Sequence, residues 1–249
     1  MESNTPEPAL TVMAAPPPVE SPCVIPYWHT AVLLLVLGAL SVGNARSAHG
    51  TLSGNGHVRI YLATIAYEWL FTAYVWWGVR RAGGTLRELI GGRWQRVEDF
   101  LLDIAIAVGA WISALLVIAI AALAMGMDHS GNLDDARKQI GFLAPQSSLE
   151  VFLWICLSAT AGFCEEVLFR GYFQSQFTRL LRNRWLALVA VSIFFGLGHG
   201  YEGAQRMVLI AMLGFSFGVL SMWRKSLRPA MMAHTLQDTI SGLLLRALR

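Results

Sequence analysis

Long runs of apolar residues, separated by short polar stretches, fill most of this 249-residue chain. A helix needs about 20 mainly apolar residues to cross the roughly 30 Å of hydrocarbon in a bilayer. The fifth and seventh runs are short and are interrupted by polar residues. The pattern predicts an all-α fold, a polytopic helical membrane bundle of about seven transmembrane segments near 28–45, 59–79, 100–126, 149–170, 185–200, 206–223 and 229–246.

Composition agrees with a membrane protein. Hydrophobic residues make up 55% of the chain and charged residues 14%, whereas a soluble domain carries about 25% charged residues. We find no internal repeat and no soluble domain. The odd count of three cysteines (Cys23, Cys156 and Cys164), without metal-knuckle spacing, argues against a disulfide framework.

Three parts can be distinguished along the chain. Residues 1–26 are polar and Pro-rich, and we expect a flexible N-terminal tail. Residues 27–99 carry two transmembrane segments and a linker, and residues 100–249 form the membrane core. Within the linker, residues 84–99 mix Arg with apolar residues, which fits either an amphipathic helix at the membrane interface or a charged loop.

The basic residues predict the orientation. They form clusters after the second, fourth and sixth segments, which fall on one side of the membrane if the segments alternate. That side is expected to be cytoplasmic, with the N-terminus inside. The same distribution gives no basic patch of the kind that binds nucleic acid. The clusters are Arg80, Arg81, Arg87, Arg93 and Arg96; Arg179, Arg182 and Arg184; and Arg224, Lys225 and Arg228.

Charged residues at the end of the fourth apolar run are the first sign of a functional site. Ionisable side chains at membrane depth are costly unless they are paired or line a wet cavity. Glu166 and Arg170 are four residues apart, so they share a helix face and are expected to form an ion pair. Glu165 is then the carboxylate left over, in a position to accept and return a proton. A purely structural Glu–Arg lock is the alternative.

Later apolar segments supply partners for these carboxylates. His199 lies among Gly196, Gly198 and Gly200, and such glycine density favours irregular backbone beside a wet cavity. His234 and Asp238 are four residues apart and share one helix face. A helix-stabilising His–Asp hydrogen bond is the simpler explanation of this second pair.

Together these side chains suit hydrolysis in one of two ways. Glu165 and His199 can deprotonate a water that attacks a peptide carbonyl, while His234 and Asp238 stabilise the oxyanion or protonate the leaving amine. Alternatively, His and carboxylate ligands bind Zn²⁺, whose water is the nucleophile. The HExxH motif of zincin proteases does not occur in the chain.

Three motifs in this order resemble a known family. Glu165-Glu166-x-x-x-Arg170, Phe195-x-x-x-His199 and His234-x-x-x-Asp238 are similar to those of the CPBP superfamily of CAAX-processing and bacteriocin-immunity-type (Abi) intramembrane proteases, which includes the Ras-converting CAAX endopeptidase. The resemblance spans roughly residues 100–246 and is greatest to bacterial members. It implies an integral protein of the bacterial inner membrane that cleaves peptide or membrane-protein substrates.

The resemblance also implies roles for the site residues. Glu165 and His199 would activate water, His234 and position 238 would form an oxyanion pocket, and Glu166, Arg170 and Phe195 would support the site. Asp238 stands where the family more often has Asn. An ionised Asp repels an oxyanion, whereas Asn can donate a hydrogen bond to it, so Asp238 is protonated, orients His234 or joins a metal shell. We favour the orienting role.

The sequence leaves some questions open. We expect no required cofactor. Zn²⁺ is the alternative, because the family that the chain resembles has been described both as glutamate-type and as metalloprotease. A non-catalytic immunity or partner-binding protein on the same scaffold is the second function class, and a proton-coupled transporter the third. The segment lengths also predict His199 nearer the opposite membrane face from Glu165 and His234, unless the fifth segment starts below the interface.

Overall fold

The computed structural model describes residues 25–47, 56–126 and 141–247. Within them the chain forms eight helices and no strand. The predicted tail lies outside the described residues except for its last two positions. The helices are α1 (Tyr27–Ser47), α2 (Gly56–Arg81), α3 (Leu86–Ile90), α4 (Val97–Ala124), α5 (Ser148–Leu181), α6 (Arg184–Gly198), α7 (Ala204–Arg224) and α8 (Arg228–Ala247).

A helix occupies each of the seven predicted positions, and the all-α membrane bundle is confirmed. Three of these helices, α4, α5 and α7, are long and apolar enough to cross a membrane by length and composition. Helices α1 and α6 contain apolar stretches of fewer than 18 residues. The number of crossings therefore remains a prediction.

The linker does not form the amphipathic helix considered for residues 84–99. Before α4 begins at Val97, only the short helix α3 is helical, started by a capping box between Thr85 and Glu88. Gly91 and Gly92 follow it with φ values of 96° and 87°. This left-handed conformation, which glycine adopts without strain, ends the helix after Ile90.

The fourth segment is longer than predicted. Residue 170 was the expected end, but α5 continues through a π-helical stretch, Glu166–Phe173, and a further α-helical stretch, Gln174–Leu181. Gln174 and Gln176 look like the start of a polar loop in the sequence, yet both side chains are buried. Tertiary packing of these amides keeps the chain helical.

This extension brings the His199 end of α6 back to the level of Glu165. Eight π-helical and eight α-helical residues separate Glu165 from the turn at the end of α5. Helix α6 then returns over 15 residues. The 16 residues from Glu165 to the end of α5 and the 15 residues of α6 are nearly equal in number. His199 therefore does not lie nearer the opposite membrane face from Glu165, as the segment lengths had predicted.

The three basic clusters lie at one end of the bundle. The Leu227 backbone N–H donates to the Ile90 carbonyl at 2.8 Å, so the turn before α8 packs on α3. The Arg179 guanidinium donates to the carbonyl of Ile25, beside the start of α1. The beginning of the described chain and the basic turns therefore share this end, as the charge pattern predicted.

A buried carboxylate, Asp103, fastens α4 to that basic end. Its side chain is 2% exposed, and Arg224 Nη2 donates to Oδ1 at 2.7 Å. Trp94 Nε1 donates to Oδ2 at 2.8 Å, and Arg228 Nε lies 3.6 Å from the same oxygen. One carboxylate thus links α4 to α7, to α8 and to the linker, a role that the sequence pattern did not reveal.

The π-helical stretch lies at the centre of the bundle. All eight of its residues are buried. Helix α1 packs against it through Tyr172, whose hydroxyl lies 2.7 Å from His29 Nδ1 and 2.9 Å from Thr30 Oγ1. This anchoring supports the first residues of the stretch, which carry the candidate site.

Candidate active site

The site begins with an ion pair inside the bundle. Arg170 Nη1 donates to Glu166 Oε1 at 2.9 Å, and both side chains are almost completely buried. A buried ion pair is stable only when its geometry is good and further hydrogen bonds satisfy the charges. The predicted Glu166–Arg170 pair is therefore present, and it needs additional partners.

His234 is one of those partners. Its Nδ1 lies 2.9 Å from the same carboxylate oxygen, Glu166 Oε1. Because an ionised carboxylate only accepts hydrogen bonds, Nδ1 is the donor. Glu166 thus joins the π-helical stretch of α5 to α8 and fixes the orientation of the His234 ring.

The opposite nitrogen of that ring faces two further carboxylates. His234 Nε2 lies 3.7 Å from Glu165 Oε2 and 3.6 Å from Asp238 Oδ2. A carboxylate accepts hydrogen bonds, so Nε2 is placed to donate toward either of these two side chains. The His234–Asp238 relationship on one helix face agrees with the spacing in the sequence.

Exposure separates the carboxylates of the site into two kinds. Glu166 is fully buried, whereas the side chains of Glu165 and Asp238 are 20% and 33% exposed. Glu165 and Asp238 can therefore meet a molecule that enters the site. Glu166 is placed to hold the arrangement together.

Phe195 packs at the centre of this arrangement. The Arg170 guanidinium lies 4.2 Å from its ring centroid, a cation–π distance. The ring centroids of His199 and His234 lie 5.0 Å and 5.9 Å from that of Phe195. Gly214 of α7 makes room, because a Cβ there would lie 2.6 Å from Arg170 Nη2.

His199 joins the site through Phe195 and through longer-range electrostatics with Asp238. Its Nδ1 lies 3.0 Å from the Phe195 carbonyl oxygen. A carbonyl only accepts, so Nδ1 carries a proton, and the neutral form of such a ring has its lone pair on Nε2. Glu165, Glu166, His234 and Asp238 are thus in direct contact as a group, and His199 lies beside them.

The glycines near His199 have a different structural role from the one expected. Helix α6 remains α-helical through Gly198, and a 3₁₀ turn at Gly200–Glu202 follows. A Cβ at Gly196 would collide with the Met207 carbonyl oxygen of α7, whereas Gly198 has open space around it. Gly196 therefore permits close helix packing, and irregular backbone begins only at His199.

Sequence reasoning missed one acidic residue near the site, Glu68 of α2. Its side chain is buried and interacts electrostatically with Glu165 and Asp238. The signal was available, since Glu68 is an acidic residue inside the second predicted transmembrane segment. It stands apart from the three motifs, and nothing in the local sequence connects it with them.

The positions of the His, Cys, Asp and Glu side chains show whether the site can bind a metal ion. Among the described residues, no group of three or more His, Cys, Asp or Glu side chains has the geometry to hold a metal ion as it stands. His234 in particular uses Nδ1 on Glu166 and directs Nε2 between two carboxylates. Cys156 and Cys164 are free thiols.

A comparison with protein families finds a match to one part of the chain. Residues 146–240 match the family described as type II CAAX prenyl endopeptidase Rce1-like. This range contains all three motifs, so the family assignment made from them is confirmed. No curated protein and no solved structure matches the chain.

Proposed function

We propose that this chain, whose residues 146–240 match the Rce1-like CAAX protease family, is an intramembrane endopeptidase. It hydrolyses peptide bonds of membrane-associated substrates with an activated water. The observation that carries the proposal is the position of His234 Nε2, 3.7 Å from Glu165 and 3.6 Å from Asp238. His234, a hydrogen-bond donor, thereby lies beside Glu165, a carboxylate that a substrate can contact inside the helical bundle.

Glu165 and His199 supply the base in this proposal. Glu165 is partly exposed beside His234, and His199 donates through Nδ1, which leaves Nε2 to act as the acceptor. The water oxygen attacks the peptide carbonyl while its proton passes to Glu165, and His199 accepts a hydrogen bond that orients the water. The same proton then goes to the leaving nitrogen when the C–N bond breaks.

His234 stabilises the charge that develops on the carbonyl oxygen. As an imidazolium its Nε2–H is a donor with a full positive charge, which favours the tetrahedral intermediate. Asp238 orients the ring and balances its charge. This is a role for an ionised Asp that does not require it to face the oxyanion.

Glu166, Arg170 and Phe195 support the site without touching the substrate. Glu166 is fully buried and holds His234 through Nδ1. Arg170 neutralises Glu166, and Phe195 packs on the guanidinium. Such support matters because a displacement of about 1 Å at a reacting group can lower the rate about 100-fold.

The proposed reaction requires no cofactor. With Nδ1 of His234 donating to a carboxylate, the ring serves as an electrostatic donor. Zn²⁺ remains the alternative and would supply a metal-polarised water, but no three His, Cys, Asp or Glu side chains among the described residues are arranged to hold it.

The substrate class is a peptide or a membrane protein in the lipid bilayer. The apolar helices and the family support an integral membrane protein. We propose the bacterial inner membrane as its location, with the basic end of the bundle and the N-terminus in the cytoplasm. Nucleic acid is not an expected partner.

The test compares wild type, Glu165→Gln and Glu98→Gln expressed in the same membranes. Glu98 is an exposed carboxylate at the start of α4, so its amide variant controls for charge removal alone. New protein termini are then identified by mass spectrometry. Termini present with wild type and Glu98→Gln but lost with Glu165→Gln support the protease and name its substrates.

Two other outcomes would change the conclusion. If none of the three proteins generates termini although all are folded, the scaffold acts as a partner-binding or immunity protein. If wild type and Glu165→Gln generate the same termini, Glu165 is not the base.

A further inference from the structure

Helix α2 carries a carboxyl group that the proposed mechanism does not use. Glu68 lies outside the matched family region and its residue is 6% exposed. Among the described residues, its Oε2 is buried and has no hydrogen-bond partner. A buried polar oxygen without a partner is unfavourable, so its position needs an explanation.

The carboxyl group of Glu68 lies near the candidate active site. Helix α2 packs on α5, with the rings of Trp69 and Phe163 stacked at a centroid distance of 5.5 Å. Two residues after Phe163, Glu165 also has a buried oxygen, Oε2, without a hydrogen-bond partner among the described residues. Glu68 interacts electrostatically with Glu165 and with Asp238.

Arg170 and His234 favour ionisation of the carboxyl groups closest to them. Carboxylates that share a buried site cannot all be ionised at once. Arg170 pairs with Glu166, and His234 lies within 4 Å of Glu165, Glu166 and Asp238. No ion pair to Glu68 occurs among the described residues. The proton therefore belongs on Glu68.

We infer that Glu68 is a positioning residue of the active site, a neutral carboxylic acid that donates a hydrogen bond to Glu165, directly or through one water. This satisfies the buried oxygens of both side chains. It also fixes the rotamer of Glu165, which leaves its other oxygen directed at the nucleophilic water. Glu68 does not touch the substrate, and its proton stays in place throughout the reaction.

The carboxylic acid itself can be detected without any substrate. Infrared difference spectra of the full chain in lipid vesicles compare wild type with Glu68→Gln, Glu165→Gln and Glu98→Gln. We expect a carbonyl band of a protonated carboxyl group that shifts in D₂O. It should vanish in Glu68→Gln, change frequency in Glu165→Gln and remain unchanged in Glu98→Gln. A Glu68→Gln spectrum identical to wild type would overturn the inference.

The effect on catalysis, which rests on the proposed function, is measured as the rate at which the wild-type termini appear. Gln keeps the shape and an N–H donor, so Glu68→Gln should stay within about threefold of wild type. Glu68→Leu removes the donor and should lower kcat at least tenfold with little change in KM. Wild-type kcat in Glu68→Leu, or equal losses in the Gln and Leu variants, would contradict the inference.

The two experiments separate this inference from the proposed function. If wild type produces no termini, the protease proposal fails, while the infrared band still decides whether Glu68 is a neutral acid facing Glu165. If Glu68→Leu does not fold, as judged by its thermal unfolding in detergent, the comparison of Glu68→Gln with wild type and the infrared band together give the answer.

Discussion

His234 donates to Glu166 through Nδ1 at 2.9 Å, and the acceptor is the same carboxylate oxygen that binds Arg170. One fully buried carboxylate therefore balances a guanidinium on its own helix and orients an imidazole on another. The ion pair expected from the spacing of Glu166 and Arg170 is thus also the connection that holds His234 in the site. Glu166 Oε1 thus accepts both the hydrogen bond of the ion pair and the one that orients His234.

This shared acceptor predicts a large effect for Glu166→Gln. The amide keeps the size of the side chain but leaves Arg170 as an uncompensated buried charge. We expect a loss of about 3–5 kcal/mol in unfolding free energy, measured by denaturation in detergent micelles, together with loss of proteolysis. The double variant Glu166→Gln/Arg170→Gln removes both charges and should recover part of the stability but no activity. Recovered activity would mean that Glu166 does not orient His234.

Asp238→Asn tests the charge on the exposed side of His234. The carboxylate lies 3.6 Å from Nε2 and stabilises the imidazolium. We expect the amide variant to lower kcat roughly tenfold, equivalent to about 1.4 kcal/mol in the barrier, and Asp238→Ala to lower it further. Activity at or above the wild-type level in Asp238→Asn would instead indicate hydrogen-bond donation to the oxyanion.

Two neighbouring glycines of α6 form a matched pair. In Gly196→Ala the new methyl group meets the backbone carbonyl of Met207, so α6 and α7 must separate and displace Phe195 and His199. We expect a cost of about 1–3 kcal/mol in stability and a marked loss of activity. Gly198→Ala adds its methyl group in open space and should leave both near wild type. Thermal unfolding and cleavage rates of the two variants check the difference.

Asp103 should contribute to stability and not to chemistry. Asp103→Asn leaves Arg224 and Arg228 without their buried counter-charge and weakens the acceptor for Trp94. We expect the unfolding free energy to fall by about 2–4 kcal/mol while the folded variant keeps its kcat. A selective loss of kcat at unchanged stability would contradict the assignment of Asp103 to the scaffold.

Chelation distinguishes the two kinds of activated water. With Glu165 and His199 as the base, cleavage should continue at an unchanged rate in the presence of a strong zinc chelator. Inactivation by the chelator, with recovery on addition of Zn²⁺ and not of Mg²⁺, would favour a metal-held water. The same chelator saturated with Zn²⁺ beforehand controls for nonspecific effects of the chelator on the membranes.

Hydrophobic periodicity and charge spacing determined much of this protein. The apolar runs predicted every long helix, because a membrane segment must satisfy its backbone hydrogen bonds internally. The i,i+4 spacings predicted the Glu166–Arg170 pair and the shared face of His234 and Asp238. The three motifs also indicated the resemblance to the family that matches residues 146–240. These are local properties of the chain, which a sequence displays directly.

Only the tertiary structure decided how the segments meet. The continuation of α5 to Leu181 depends on burial of Gln174 and Gln176 against other helices, and this extension brings His199 to the level of Glu165. The electrostatic interaction of Glu68 with Glu165 depends on packing of α2 on α5. No spacing along the chain encodes these contacts, because each joins residues far apart in sequence whose meeting depends on how whole helices pack.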